Sequence, residues 1–340
     1  YPLIQDWGPV KTWLLLIGAT LVLAVLPWLP PRLLGRQPAW NLAVRPDDRI
    51  IDARPGETIH DAGLREGLPM PFECRNGGCG VCKAKLLHGQ VRLHPYQPSA
   101  LTAADIAGGM TLLCCAEPLG DVEIEYQPQA GVKALPVRQY PAQVVQMELL
   151  TTDVMRLCLK LPDGGAMRFH AGQYINILLD DGAKRSFSFA SAPPAGGASD
   201  DIELHVRLVP GGRFTTRVFS AMKVGDIVRF EGPLGAFTLR EDSDKPIIFV
   251  AGSTGFAPVK SMLEYAFRQK LARRMILYWG VRSRADLYLG SLAEQWAREH
   301  ANFTFIPVLS APLPEDHWDG RTGLVHEAIL ADFPDLSAHQ

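Results

Sequence analysis

Net charge is nearly absent from this 340-residue chain: 34 lysines and arginines stand against 36 aspartates and glutamates, leaving −2 at pH 7. With no basic excess and no basic stripe interleaved with aromatics, a nucleic-acid partner is excluded. Cysteine is scarce as well, at 6 residues, and all but Cys158 fall within the stretch Cys74 to Cys115. Thiols so few and so clustered exclude a disulfide scaffold and point to a metal site in a reducing compartment. There is no internal repeat and no low-complexity tract, which removes solenoids and disordered tails from consideration. What remains is 47% apolar and 21% charged, the balance of a folded chain, and too long for one core. Two or three domains are expected.

Charge is also missing locally, between Lys11 and Arg32, where the run from Trp13 to Leu29 is apolar and carries tryptophans at Trp13 and Trp28. A transmembrane helix over residues 12–31 is expected, at the short end of what spans hydrocarbon. Arg32, Arg36 and Arg45 follow it, against Lys11 as the one base before it, so the rest of the chain is expected on the cytoplasmic side. A signal peptide is the competing reading, but Pro27-Trp28-Leu29-Pro30-Pro31 offers no small-residue cleavage site.

The texture after residue 40 changes twice. Asn41 to Val44, Arg49 to Asp52 and Val122 to Tyr126 read as strands and Glu57 to Glu66 as a short helix, so a small domain is expected over 40–128, with a Pro- and Gly-containing linker over 129–138. Residues 139–240 show short alternating runs separated by Gly, Pro and Asp turns, the pattern of an antiparallel barrel. Over 244–340 unbroken apolar strands, Pro246 to Ala251, Met275 to Trp279 and Phe303 to Leu309, alternate with helical stretches, the pattern of a parallel sheet covered on both faces. The chain is thus read as multidomain, α+β followed by α/β.

The first chemistry lies in Cys74-Arg75-Asn76-Gly77-Gly78-Cys79-Gly80-Val81-Cys82, a C-x4-C-x2-C spacing with Cys114 further on. This is the plant-type 2Fe-2S spacing. Gly77, Gly78 and Gly80 permit a backbone that wraps closely around a cluster, whereas structural zinc needs two C-x2-4-C pairs and no glycine-lined loop. Leu112-Leu113-Cys114-Cys115-Ala116 resembles the ferredoxin pattern in which the fourth ligand lies two residues before Ala, which selects Cys114 and leaves Cys115 to packing.

Two further signals concern a flavin and a nicotinamide. Arg185-Ser186-Phe187-Ser188 resembles the R-x-[YF]-S motif of the ferredoxin-NADP reductase superfamily. In it Arg185 suits a diphosphate, Phe187 an isoalloxazine face and Ser188 the flavin edge. Pro210-Gly211-Gly212-Arg213-Phe214-Thr215 resembles the same superfamily's second phosphate-binding turn, with Gly211, Gly212, Phe214 and Thr215 as candidates. Gly252-Ser253-Thr254-Gly255-Phe256-Ala257-Pro258 places a Gly-rich turn between a buried strand and a helix, which lets a coenzyme approach, with Gly252, Thr254, Gly255 and Pro258 as candidates. Tyr278-Trp279-Gly280-Val281-Arg282 fits the second strand of that superfamily and adds Gly280 and Arg282. Ser310-Ala311-Pro312 lacks the basic residue that would favour a 2′-phosphate, so NADH is expected, although Arg282 and Arg284 remain available as phosphate partners.

Taken in order, these modules resemble 2Fe-2S flavoprotein reductases, and the likeness extends to the CDP-6-deoxy-Δ3,4-glucoseen reductase family through Phe72 to Gly77, Arg229 to Gly235, Arg240 to Pro246 and Asp332 to Ser337. The resemblance implies a β-grasp ferredoxin domain, an FAD barrel and an NAD-binding domain. It implies NADH, FAD and the cluster as cofactors, and as partner an electron-acceptor protein, a PMP-dependent sugar dehydrase or an oxygenase component. Ser188 and Thr254 would frame hydride transfer. The family's pattern runs on with a strand and a Cys-Gly-x-Pro turn, so the NAD-binding domain is expected to be C-terminally incomplete at Gln340. A membrane-tethered electron-transfer module that does not turn over NADH is the alternative from another class.

Overall fold

The computed structural model describes residues 39–68, 70–127, 135–162 and 165–340. The predicted membrane span over 12–31 lies outside them, and among the described residues no helix is long and apolar enough to cross a membrane. The chain divides into two compact units between residues 128 and 129.

In the first unit β1 (Trp40–Arg45) pairs antiparallel with β2 (Arg49–Ala53) and parallel with β7 (Val122–Glu125). β3 (Lys83–His88) and β5 (Met110–Leu112) complete a mixed sheet of order β2-β1-β7-β3-β5. A separate ribbon joins β4 (Val91–Leu93) to β6 (Ala116–Pro118). The helix α1 (Ile59–Arg65) starts at Thr58, whose hydroxyl accepts the Asp61 N–H at 3.1 Å, and it buries Ile59, His60 and Ala62. A one-turn helix α2 (Ala103–Ala107) follows a reciprocal Thr102–Asp105 cap. This is the expected β-grasp, with the cysteine loop between α1 and β3 and Cys114 between β5 and β6.

The second unit begins with a barrel. β8 (Arg138–Thr151), β9 (Val154–Lys160), β11 (Tyr174–Leu178), β12 (Lys184–Ser188), β14 (Asp201–Arg207) and β15 (Ile227–Leu234) lie in the order β12-β11-β15-β8-β9-β14. A bridge between Phe189, just past β12, and Leu204 of β14 joins the two outer strands and closes the sheet. Two-residue strands β10 (Met167–Arg168) and β13 (Ala198–Ser199) pair at its rim. The helix α3 (Arg213–Ser220) covers one end with Phe214 and Val218.

Four parallel strands follow: β16 (Ile247–Gly252), β17 (Met275–Val281), β18 (Phe303–Leu309) and β19 (Arg321–Thr322). The helices α4 (Phe256–Arg268), α5 (Gly290–Glu299) and α6 (Val325–Asp332) are interleaved with them. β17 is central, so alternate residues serve two cores: Met275, Leu277 and Trp279 pack with α4 and α5, while Ile276 and Tyr278 pack with Ala328 and Ile329 of α6. All these strands point their carboxyl ends the same way, which gathers the turns after β16, β17 and β18 at one edge.

Candidate functional site

The cysteine loop can turn back on itself because Gly77 and Gly80 hold φ values of 74° and 76°. A Cβ on Gly77 would lie 2.7 Å from Cys115 Sγ and 2.9 Å from the Tyr96 Cα, so no side chain fits there. Arg75, also at positive φ, is tied to Asp61 of α1, which anchors the loop to the helix. The thiols come two and two. Cys82 Sγ lies 3.3 Å from Cys114 Sγ, and Cys74 accepts hydrogen bonds from the Gly78 N–H at 3.2 Å and from Cys79. Among the described residues no three His, Cys, Asp or Glu side chains converge as they would on one ion. Two pairs of thiols under a glycine-lined loop suit a binuclear cluster.

The adjacent cysteines differ sharply. The hydrogen bond between Cys82 and Cys114 brings the Cys114 thiol down to about 6 and pushes Cys82 up in turn. Burial, with the neighbouring Cys114 charge, pushes Cys115 up to about 12, and its Sγ faces the Pro95 carbonyl at 3.7 Å.

In the second unit, a cavity of about 490 Å³ opens between the barrel and α4. It brings together Arg185, Ser186, Phe187 and Ser188 of β12, Gly212, Phe214 and Thr215 at the start of α3, and Thr254, Gly255 and Pro258 at the start of α4. Phe187 and Phe214 pack at 5.2 Å between ring centroids. The α3 N-terminus has no side-chain cap, leaving its backbone N–H groups for an anion such as a diphosphate. Gly211, at φ 74°, forms the turn before α3 but does not line the cavity. Two predicted contacts are engaged elsewhere. The Thr215 hydroxyl accepts the Val209 N–H at 3.2 Å and so closes its own turn, and Ser186 donates to Asn176 at 2.8 Å.

A smaller cavity of about 270 Å³ lies at the carboxyl ends of the parallel strands, lined by Gly252, Gly280, Arg282 and Ser310. A Cβ on Gly252 or Gly255 would meet nothing within 4 Å, so both leave the backbone open to an approaching ligand. Gly280 has a different reason: a Cβ there would meet Val325 Cβ at 2.7 Å, so glycine lets α6 close on β17.

Sequence reasoning missed a row of polar residues that runs beside these cavities. Glu203, His205 and Arg207 alternate along β14 with the core residues Ile202, Leu204 and Val206. Arg207 lines both cavities. His205, its side chain fully buried, lines the larger one. Glu203 is an acceptor only, so the 2.8 Å contact makes His205 Nε2 the donor, and Nδ1 then accepts from Tyr288 at 3.0 Å. Burial keeps the His205 pKa below its ordinary value against the pull of Glu203. Burial would raise Glu203, but the His205 hydrogen bond and the Lys260 charge outweigh it and hold the carboxyl at about 2. The period-two alternation was visible in the sequence; the partners, on α4 and after β17, were not.

Comparison with known proteins places each module. Residues 42–119 match the family model of the 2Fe-2S iron-sulfur cluster binding domain, 141–239 that of the oxidoreductase FAD-binding domain and 249–340 that of the oxidoreductase NAD-binding domain. Over 297 residues, 87% of each chain, the sequence is 37% identical to the CDP-6-deoxy-L-threo-D-glycero-4-hexulose-3-dehydrase reductase of Yersinia pestis. It is 36% identical to the reductase component of phenol 2-monooxygenase from a Pseudomonas species, over 87% of this chain and 83% of that one. The crystal structure of the Amycolatopsis reductase GcoB superposes with a TM-score of 0.71 at 34% identity, covering 88% and 89% of the two chains. With three cofactor modules in this order and relatives aligned across all of them, the chain belongs to the ferredoxin-reductase-like family of iron–sulfur flavoprotein reductases, which use NADH, FAD and a 2Fe-2S cluster to pass electrons to a partner.

Proposed function

We propose that the turn from Gly252 to Gly255 is where the nicotinamide of NADH meets the flavin, with Ser188 and Thr254 framing the transfer. FAD, when bound, accepts a hydride and gives up its electrons one at a time. One observation carries this reading: Thr254 and Gly255 line the same cavity as the Arg185–Ser188 strand, while Gly252 of the same turn lines the second cavity. Phe187 and the α3 N-terminus hold and orient the flavin, Arg185 neutralises its diphosphate, and Cys74, Cys79, Cys82 and Cys114 ligate the cluster. Anaerobic NADH added to the FAD-loaded protein should bleach the flavin and then the cluster absorbance. A flavin that stays oxidised would overturn the reading.

The acceptor is a protein, and the relative of highest identity quoted above, a hexulose-3-dehydrase reductase, favours a sugar dehydrase. The phenol 2-monooxygenase reductase, one percentage point lower in identity, supports an oxygenase component as the second reading. Coupled turnover with purified dehydrase or oxygenase separates them, since the true acceptor should saturate at micromolar concentration. The apolar, tryptophan-flanked run over 12–31 supports a single membrane anchor with the catalytic units on the cytoplasmic side. Resistance of the membrane-bound full chain to alkaline extraction tests it, and complete release would remove the anchor.

A further inference from the structure

We infer that Arg207 is a positioning residue of the hydride-transfer turn: it holds Ser253 in a left-handed conformation and so sets Thr254 and Gly255 against the flavin cavity. This rests on reading the Gly252–Gly255 turn as the transfer site.

Ser253 has φ 48°, a region that L side chains rarely adopt. The turn contains two glycines, yet neither takes that position: Gly252 has φ −116° and Gly255 φ −58°. The strained place falls to a serine, whose hydroxyl is used. Ser253 Oγ accepts from Arg207 Nη1 at 2.6 Å, and its carbonyl accepts from the Trp279 indole N–H at 3.0 Å. Arg207 is itself fixed, its Nε donating to Asp153 at 2.7 Å. Asp153 and Arg207 belong to the barrel, Ser253 and Trp279 to the parallel-sheet part. The shape of the turn is therefore imposed from the flavin side, by a residue lining both cavities.

A glycine at 253 would take the same φ without help. This separates a lock from a direct charge on the coenzyme. Ser253→Ala keeps the backbone strain and the Arg207 charge but loses the acceptor. Ser253→Gly loses the acceptor and the strain together.

The experiment uses the FAD-loaded full chain and reads three quantities: stopped-flow flavin reduction by NADH, NAD+ affinity by calorimetry, and hydrogen exchange of the amides from Ser253 to Phe256. Ser253→Ala and Arg207→Gln should each slow flavin reduction about tenfold and speed exchange in the turn. Ser253→Gly combined with Arg207→Gln should recover most of the loss seen with Arg207→Gln alone, the coupling expected of residues in direct contact. A double variant as impaired as Arg207→Gln alone would overturn the lock and assign Arg207 a direct role on the ligand. Wild-type behaviour of Ser253→Ala would overturn it too. Thr254→Ala tests the underlying reading: if it leaves flavin reduction untouched, the turn is not the transfer site, whereas slowing by Thr254→Ala without slowing by Ser253→Ala removes only the lock.

Discussion

His60 is wholly buried in the ferredoxin unit, its ring 4.4 Å from that of Phe72, and among the described residues neither ring nitrogen has a hydrogen-bond partner. Burial, reinforced by the Arg75 charge, lowers its pKa to about 3. The unfolded chain therefore takes up a proton near pH 6.5 that the folded unit refuses. Stability from this group is complete above that pH and is lost as pH falls toward 3. Between pH 7.5 and 5.5 the wild type should lose about 1.4 kcal/mol that His60→Leu does not lose, as measured by denaturant unfolding at each pH. Parallel pH profiles would count against it. The adjacent cysteines give a second residue-level test. Cys114→Ser should abolish the cluster absorbance, whereas Cys115→Ala should retain it at a packing cost of about 1 kcal/mol. Loss of the cluster in both variants would leave the fourth ligand undecided between them and would contradict the assignment.

Elements meet at glycines whose spacing in the sequence says little about why they are there. Gly280 read as part of a coenzyme motif, and it lines the smaller cavity, but its lack of a Cβ also lets Val325 of α6 approach β17. Gly280→Ala should destabilise the second unit by about 1–3 kcal/mol, because the contact is with a branched Cβ that cannot swing aside. Thermal unfolding should show it as a lower Tm, and NADH should bind more weakly as α6 shifts. An unchanged Tm would mean that α6 adjusts freely. The long barrel strands and β16, β17 and β18 were legible, because alternation or an unbroken apolar run persists over several residues. The three-residue strands β4, β5 and β6 were not, being too short for periodicity to register, and neither was the helix α6, whose apolar residues form no single stripe. The site followed the same division. The Arg185–Ser188 strand and the glycine turns announce themselves locally, while the pairing of Arg207 with Ser253 joins residues 46 positions apart and that of His205 with Tyr288 residues 83 apart. Such contacts exist only once β14 and the parallel sheet have packed together.

At the scale of the whole chain, the two units have separate cores. One runs from Leu42 to Tyr126, and the others are built from residues 142 to 329. The barrel and the parallel sheet cannot be divided in the same way: Ala171 of the barrel side belongs to the sheet's core, Lys260 of α4 donates to the Ala190 carbonyl at 3.1 Å, and Ser261 donates to the Ser191 carbonyl at 2.8 Å. The cut that preserves every core falls between the ferredoxin unit and the rest. A fragment spanning 135–340 should fold, bind FAD and reduce ferricyanide with NADH at close to the rate of the full chain, since its cavities use no residue of the first unit. It should fail to deliver electrons to the acceptor protein, because the cluster is gone. Division at residue 242, between barrel and parallel sheet, should instead yield two unstable pieces, because the buried Lys260 would lose both the Ala190 carbonyl and Glu203 on the barrel. Comparing the two cuts by expression, flavin content and NADH–ferricyanide turnover tests the division directly. A 135–340 fragment without flavin would show that the first unit is needed to complete the flavin site.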